Sequence, residues 1–176
     1  RGRDFTINAI ALKLDEPNSL IDPLNGVGDL AQKILRPCSP TALRDDPVRI
    51  LRGIRLALNL GFRLPPATRQ AMKQAAPDLP RTSAERLRDE IFRLLTTPQP
   101  AAAIRSLELL GCLPYLFPEL QSLKGVTQSP PHTADVWEHT INVMAQLSKL
   151  IALLAPVPDP EAAENWAAGL VSFRLG

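Results

Sequence analysis

Eighteen prolines, gathered between stretches of apolar periodicity, constrain this 176-residue chain more than any other feature. A proline within a helix removes a backbone donor and clashes with the preceding turn, so helices start or stop beside one. The chain therefore reads as short helices separated by firm stops. The periodicity predicts a helix from about Asp46 to Leu60, with Pro47 in its first turn and Gly61 as its stop. A second covers Ala67 to Ala75, and a third Ser83 to Leu95, with Thr82 or Ser83 as cap and Glu85 in the first turn. A fourth spans Ala101 to Leu110 and ends at Gly111. Residues 124–133 read as a linker, followed by a helix from about Ala134 to Leu154, a proline-rich break and a last helix from Glu161. Residues 4–37 differ: Ala11–Leu14 and Lys33–Arg36 read as short strands, with a turn at Asp22–Gly26 between them.

Hydrophobic residues make up 45% of the chain and aromatic ones only 5%, so any core must be built mainly from Leu, Ile, Val and Ala. Cys38 and Cys112 are the only cysteines, and they lack the spacing of a zinc site or a disulfide framework; a reducing cytoplasm is the expectation. No apolar run approaches the length of a membrane span. The chain opens on Arg1 within polar, motif-like sequence and closes on an apolar run, so both ends are expected to be cut. Net charge is +2, unevenly spread: residues 1–110 carry 17 Lys and Arg against 12 Asp and Glu, and residues 111–176 carry 3 against 6. An arginine-rich half permits a nucleic-acid partner without requiring one.

Four segments, in order, carry the functional signal. They are Arg3-Asp4-Phe5-Thr6-Ile7-Asn8-Ala9; Asp22-Pro23-Leu24-Asn25-Gly26-Val27-Gly28-Asp29-Leu30; Asp45-Asp46-Pro47-Val48-Arg49-Ile50-Leu51-Arg52; and Glu85-Arg86-Leu87-Arg88-Asp89-Glu90. Within the third, Asp46 and Arg49 lie three apart and share a helix face, beside an apolar stripe of Ile50, Leu51, Ile54, Ala57 and Leu58. Arg52 and Arg55 lie round the other side. Spacing alone makes Asp46 and Arg49 a helical ion pair on an amphipathic helix.

Together and in this order, the four segments resemble the second to fifth signature motifs of class II tRNA nucleotidyltransferases and bacterial poly(A) polymerases, over roughly residues 1–120. The resemblance implies that Asp46 and Arg49 stand in for a template. A carboxylate accepts from the exocyclic amino group of cytosine or adenine, while a guanidinium donates to the ring nitrogen. Uracil and guanine present a carbonyl where the carboxylate needs a donor, a mismatch worth on the order of 10⁴-fold in discrimination. By the same resemblance Arg3 and Asp4 contact the ribose and phosphates of the incoming nucleotide, with Asn8, Arg52 and Arg55 completing the nucleotide site. Asp4 would accept from a 2′-hydroxyl. Asp22, Gly26 and Asp29 are expected to fix a turn and hinge, Asp45 to support the base-reading pair, and Glu85 and Arg88 to brace the helix carrying it. Asp45 stands where the family usually has Glu, and Gly2 where it commonly has Arg.

The implied reaction moves CMP or AMP from CTP or ATP to the 3′ end of tRNA, with Mg²⁺ held by an Asp-x-Asp pair. No such pair occurs in this sequence, so catalytic and metal-binding residues are expected outside it, and the chain alone is expected to be inactive. His132 to Thr140 resembles the entry to an HD-type helical domain, but Gly169–Gly176, where a His-Asp dyad belongs, has none; His139 then reads as packed or capping, and Trp137 as core. The expected architecture is mainly α with a small α+β remnant: residues 1–40 the tail of a nucleotidyltransferase head, 41–123 a helical neck and body, and 124–176 the start of a degenerate HD-like region. A poly(A) polymerase on the same scaffold, and a non-catalytic RNA-binding or HD-type module, are the alternatives.

Overall fold

The structure, a computed structural model, describes residues 2–15, 19–129 and 133–154. Nine α-helices are seen among them: α1 Gly26–Ala31, α2 Ala42–Asp45, α3 Arg49–Leu60, α4 Pro66–Ala75, α5 Ala84–Leu95, α6 Pro100–Leu109, α7 Leu113–Leu116, α8 Pro118–Gln121 and α9 Val136–Leu154. Two 3₁₀ turns, Thr6–Asn8 and Ala76–Arg81, and one antiparallel pair, β1 Ala11–Leu12 with β2 Leu20–Ile21, complete it. The fold is mainly helical with a small α+β portion at its start. His132 and Gly169–Gly176, on which the HD-type expectation rests, and the helix expected from Glu161, lie outside the described residues.

The central helix is α3. Its stripe of Ile50, Leu51 and Ile54 is buried to within 1% exposure, against Phe5, Met72, Leu94 and Leu107. Burying each of these side chains contributes about 1.5–3 kcal/mol before chain entropy is set against it. α3 packs on α5 and α6, and α6 in turn on α9. Gly61 ends α3 in the left-handed region at φ +64°, and the Phe62 N–H returns to the Ala57 carbonyl at 2.9 Å.

Two sequence expectations are corrected. Lys33–Arg36 forms an isolated bridge rather than the expected strand. β1 pairs with β2, with Ala11 opposite Ile21, and residues 33–35 make a short parallel contact with Arg63. Leu35 is fully buried there, so its β-like character reflects insertion into the core. The helix expected from Asp46 begins at Arg49, because Asp46 adopts φ −148°, ψ 89° and breaks the chain between α2 and α3. The turn expected at Asp22–Gly26 is present at Pro23–Leu24 and leads straight into α1. Asp22 accepts from the Gly26 N–H at 2.7 Å and the Val27 N–H at 2.9 Å, which holds its carboxyl below the usual range. Gly26 is needed at the start of α1, since a Cβ there would lie 2.3 Å from the Thr6 carbonyl oxygen. Asp29, buried, accepts from Thr6 Oγ1 and from Arg36 Nε at 2.9 Å, tying α1 to the first motif.

Candidate functional site

The break before α3 opens a polar cleft of about 490 Å³. Gly2, Arg3, Asp4 and Asn8 form one wall; Asp46, Val48, Arg49 and Arg52 form the second; Arg86, Asp89, Glu90 and Arg93 of α5 form the third. Five arginines thus face four carboxylates.

Each acidic group is held in a definite way. Asp4, 6% exposed, accepts from the Phe5 N–H at 2.8 Å and from Asn8 Nδ2 at 3.0 Å, both through Oδ1. Arg52 Nε lies 2.8 Å from Asp4 Oδ2, close enough for an ion pair, but its N–H is not aligned on that oxygen. Oδ2 is therefore buried without an aligned donor, an arrangement that favours any ligand able to supply one. Asp46 Oδ2 accepts from Arg86 Nη2 at 2.8 Å, and Arg49 Nε stands 3.6 Å from the same oxygen. The hydrogen bond to Asp46 holds the Arg86 guanidinium above even its usual range. Arg49 is 14% exposed, and its terminal nitrogens donate to the Ala42 carbonyl at 3.1 Å and the Gly2 carbonyl at 2.8 Å. Neither bond exhausts its nitrogen, because each carries a second hydrogen.

Of the residues expected at a nucleotide, Arg3, Asp4, Asn8, Asp46, Arg49 and Arg52 line this one cleft. Arg55 does not. It turns to Glu90, with Nε 3.0 Å from Oε2. The bracing role expected of Glu85 and Arg88 is also corrected: both are exposed, Arg88 pairs with its neighbour Asp89 at 3.1 Å, and Glu85 is held below the usual carboxylate range chiefly by its own backbone N–H and the Ser83 hydroxyl. Arg86 and Glu90 make the contacts to the α3 region instead. Asp45 accepts from Thr41 Oγ1 at 2.9 Å and lines a second cavity, which shares Gly2, Arg3 and Arg49 with the first. Cys38 lines it too, its thiol pushed up by burial and then by Asp4.

No group of three His, Cys, Asp or Glu side chains among the described residues is arranged to hold a metal. The cleft's carboxylates do not suit a two-metal pair, since Asp4, Asp46 and Glu90 each already face an arginine. His139 is half-buried on α9, and Trp137 is buried at 2% exposure with Lys124 Nζ 5.7 Å from its ring centroid. No described helix is long and apolar enough to cross a membrane.

Two of the cleft's three walls lie in segments that match known families. Residues 1–36 match the poly A polymerase head domain, and residues 61–124 match the probable RNA and SrmB-binding site of polymerase A. An A-adding tRNA nucleotidyltransferase of Deinococcus radiodurans is 42% identical over 172 residues, covering 95% of this chain. A CCA-adding enzyme solved with CTP superposes with a TM-score of 0.69 at 32% identity, over 88% of this chain and 36% of that one. The Thermotoga maritima CCA-adding enzyme complexed with tRNA gives a TM-score of 0.69 at 29% identity, over 93% and 42%. The chain belongs to the family of tRNA nucleotidyltransferases and bacterial poly(A) polymerases. It spans 38% of the Deinococcus relative's length.

Proposed function

We propose that the complete protein carrying this chain adds C, A or both to the 3′ end of tRNA from CTP and ATP, and that this chain supplies recognition of the base and ribose. One observation carries the reading: Asp46 and Arg49 stand side by side on a cleft wall, opposite Arg3 and Asp4, with donor and acceptor capacity left over. Asp46 Oδ1 accepts from the exocyclic amino group of cytosine or adenine, and Arg49 donates to the adjacent ring nitrogen. Asp4 Oδ2, which lacks an aligned donor, accepts from a ribose 2′-hydroxyl. Arg3 and Arg52 meet the phosphates. Arg55 serves the wall through Glu90 without touching the nucleotide.

Nucleotidyl transfer in this family generally uses divalent metal. We assign Mg²⁺ to residues outside this chain, which supplies orientation and selection only. The division at residues 40 and 123 follows the change from head-like to helical sequence and lies near the edges of the matched regions. Cys38 and Cys112 are both free thiols, which suits a reducing cytoplasm.

The test is single-nucleotide extension by the complete protein of tRNA transcripts ending before, within and after the terminal C and A positions. CTP or ATP alone should each extend its own acceptor, or only one should, according to which base is added. UTP and GTP should be rejected on all of them. Long A tracts on unrelated RNA would instead identify a poly(A) polymerase. Failure to extend any RNA would remove the reading.

A further inference from the structure

We propose that Arg86 is a positioning residue for nucleotide specificity: by occupying Asp46 Oδ2 it stops the Asp46–Arg49 pair from closing on itself and keeps both groups open to a base. The inference rests on the base-reading function proposed above.

An Asp and an Arg three residues apart at a helix start have a ready alternative to reading anything. A carboxylate and a guanidinium form two parallel hydrogen bonds, and this bidentate pair is among the strongest polar contacts available to side chains. Closure would consume both carboxylate oxygens and two of the arginine donors, so the reader would satisfy itself. That closed pair is not formed. Arg49 approaches Asp46 only through Nε, at 3.6 Å, while its terminal nitrogens are drawn off to the Ala42 and Gly2 carbonyls. The oxygen that it approaches is already taken by Arg86 Nη2 at 2.8 Å. Asp46 Oδ1 makes no hydrogen bond among the described residues, and it is the acceptor left for a ligand.

Two consequences follow for selectivity. With Oδ2 pinned, the carboxylate has one orientation, and its free oxygen rejects a nucleobase carbonyl by repulsion and lost hydrogen bonding. Without the pin, the carboxylate rotates toward Arg49 or away from it. An Arg49 no longer flanked by a fixed acceptor donates to the O4 of uracil or the O6 of guanine as readily as to a ring nitrogen. Arg86 side-chain exposure is 55%, so its removal opens no buried hole, and the predicted effect is on choice rather than on folding. The residue lies on α5, forty positions from Asp46 and within the segment that matches an RNA-binding region, whereas Asp46 and Arg49 fall in neither matched segment.

The experiment is kcat and KM for single-nucleotide transfer to an RNA acceptor by the complete protein, with all four NTPs. The variants are Arg86→Met, Arg86→Lys and Asp46→Ala, with Arg88→Met as a control on the same helix. Arg86→Met should lower discrimination against UTP and GTP by about tenfold or more, with most of the change in the ratio of kcat/KM values. Arg86→Lys should recover part of it, and Arg88→Met none of the defect. Equal loss across all four nucleotides, or parental discrimination in Arg86→Met while Asp46→Ala relaxes it, would overturn the role given to Arg86 alone. Unchanged discrimination in Asp46→Ala would remove the base-reading function itself, and this inference with it.

Discussion

Gly53 lies one turn beyond Arg49, where α3 crosses the first motif. A Cβ on it would stand 2.5 Å from Met72 Cε and 2.6 Å from Phe5 Cζ. Phe5 follows Asp4 directly and is fully buried, so pressure on its ring is passed to the cleft wall. Gly53→Ala should therefore cost about 1–3 kcal/mol despite its gain in helix propensity, read as a lower urea midpoint at unchanged m-value. It should also weaken nucleotide binding, because Asp4 shifts with Phe5. At this scale the sequence reports neighbours within one element and little else. The Asp46–Arg49 adjacency was legible from their spacing of three, although Asp46 stands ahead of α3 and meets Arg49 across the chain break rather than along one helix. Helical spacing sets Arg55, six residues beyond Arg49, roughly 120° away round the helix, and Glu90 meets it there; the resemblance alone draws it into the nucleotide site. The contacts of Arg86 and Glu90 span forty and thirty-five residues, and no local periodicity encodes them.

α5 grips the α3 region at two points on one face. Arg86 holds Asp46, and Glu90, four residues on, holds Arg55 at 3.0 Å and Arg93 of its own helix at 3.0 Å. Glu90 is 7% exposed, and the Arg55 side chain 18%. Removing that carboxylate strands a largely buried guanidinium, so Glu90→Ala should destabilise the protein by roughly 3 kcal/mol. Glu90→Ala with Arg55→Leu should recover part of the loss, since the second change removes the guanidinium left unpaired. Equilibrium unfolding of the two single variants and the double variant measures the coupling. The helices themselves were legible because apolar periodicity and Pro or Gly stops coincide at α3, α4, α5, α6 and α9. What escaped was structure without periodicity: the 3₁₀ turn Ala76–Arg81, which carries Pro77 and Pro80, and the four-residue α7 and α8, each with a proline in its first turn. A proline marks a helix end in sequence, but it also starts one-turn helices too short to show a stripe.

Across the molecule, the last described helix is joined to the body by a small number of charged contacts around a buried anchor. Trp137 and Ile141 of α9 are 2% and 3% exposed, and Arg105 of α6 grips Glu138 through both carboxylate oxygens, with Nη1 3.0 Å from Oε1. Just before α9, Asp135 accepts from the Glu138 N–H and from the Gly125 N–H, each at 2.8 Å, stapling the preceding segment to the helix start. Backbone N–H groups hold Asp135 below its ordinary value of 3.8, and Arg105 holds Glu138 below its ordinary 4.5. For carboxyls lowered in the folded state, the stabilisation is fully present above the ordinary values and is lost as pH falls through the lowered ones. Both groups are half-buried at the surface and screened by solvent, so the junction rather than the whole fold should loosen. Hydrogen exchange at residues 136–141 should therefore stay slow from neutrality down to about pH 5, then accelerate on further acidification ahead of α3 and α5, after correction for the intrinsic pH dependence of exchange. Asp135→Ala should show the faster exchange already at neutral pH. Exchange in α9 that accelerates only together with α3 would mean that the apolar anchor at Trp137, and not the two carboxylates, holds this helix in place.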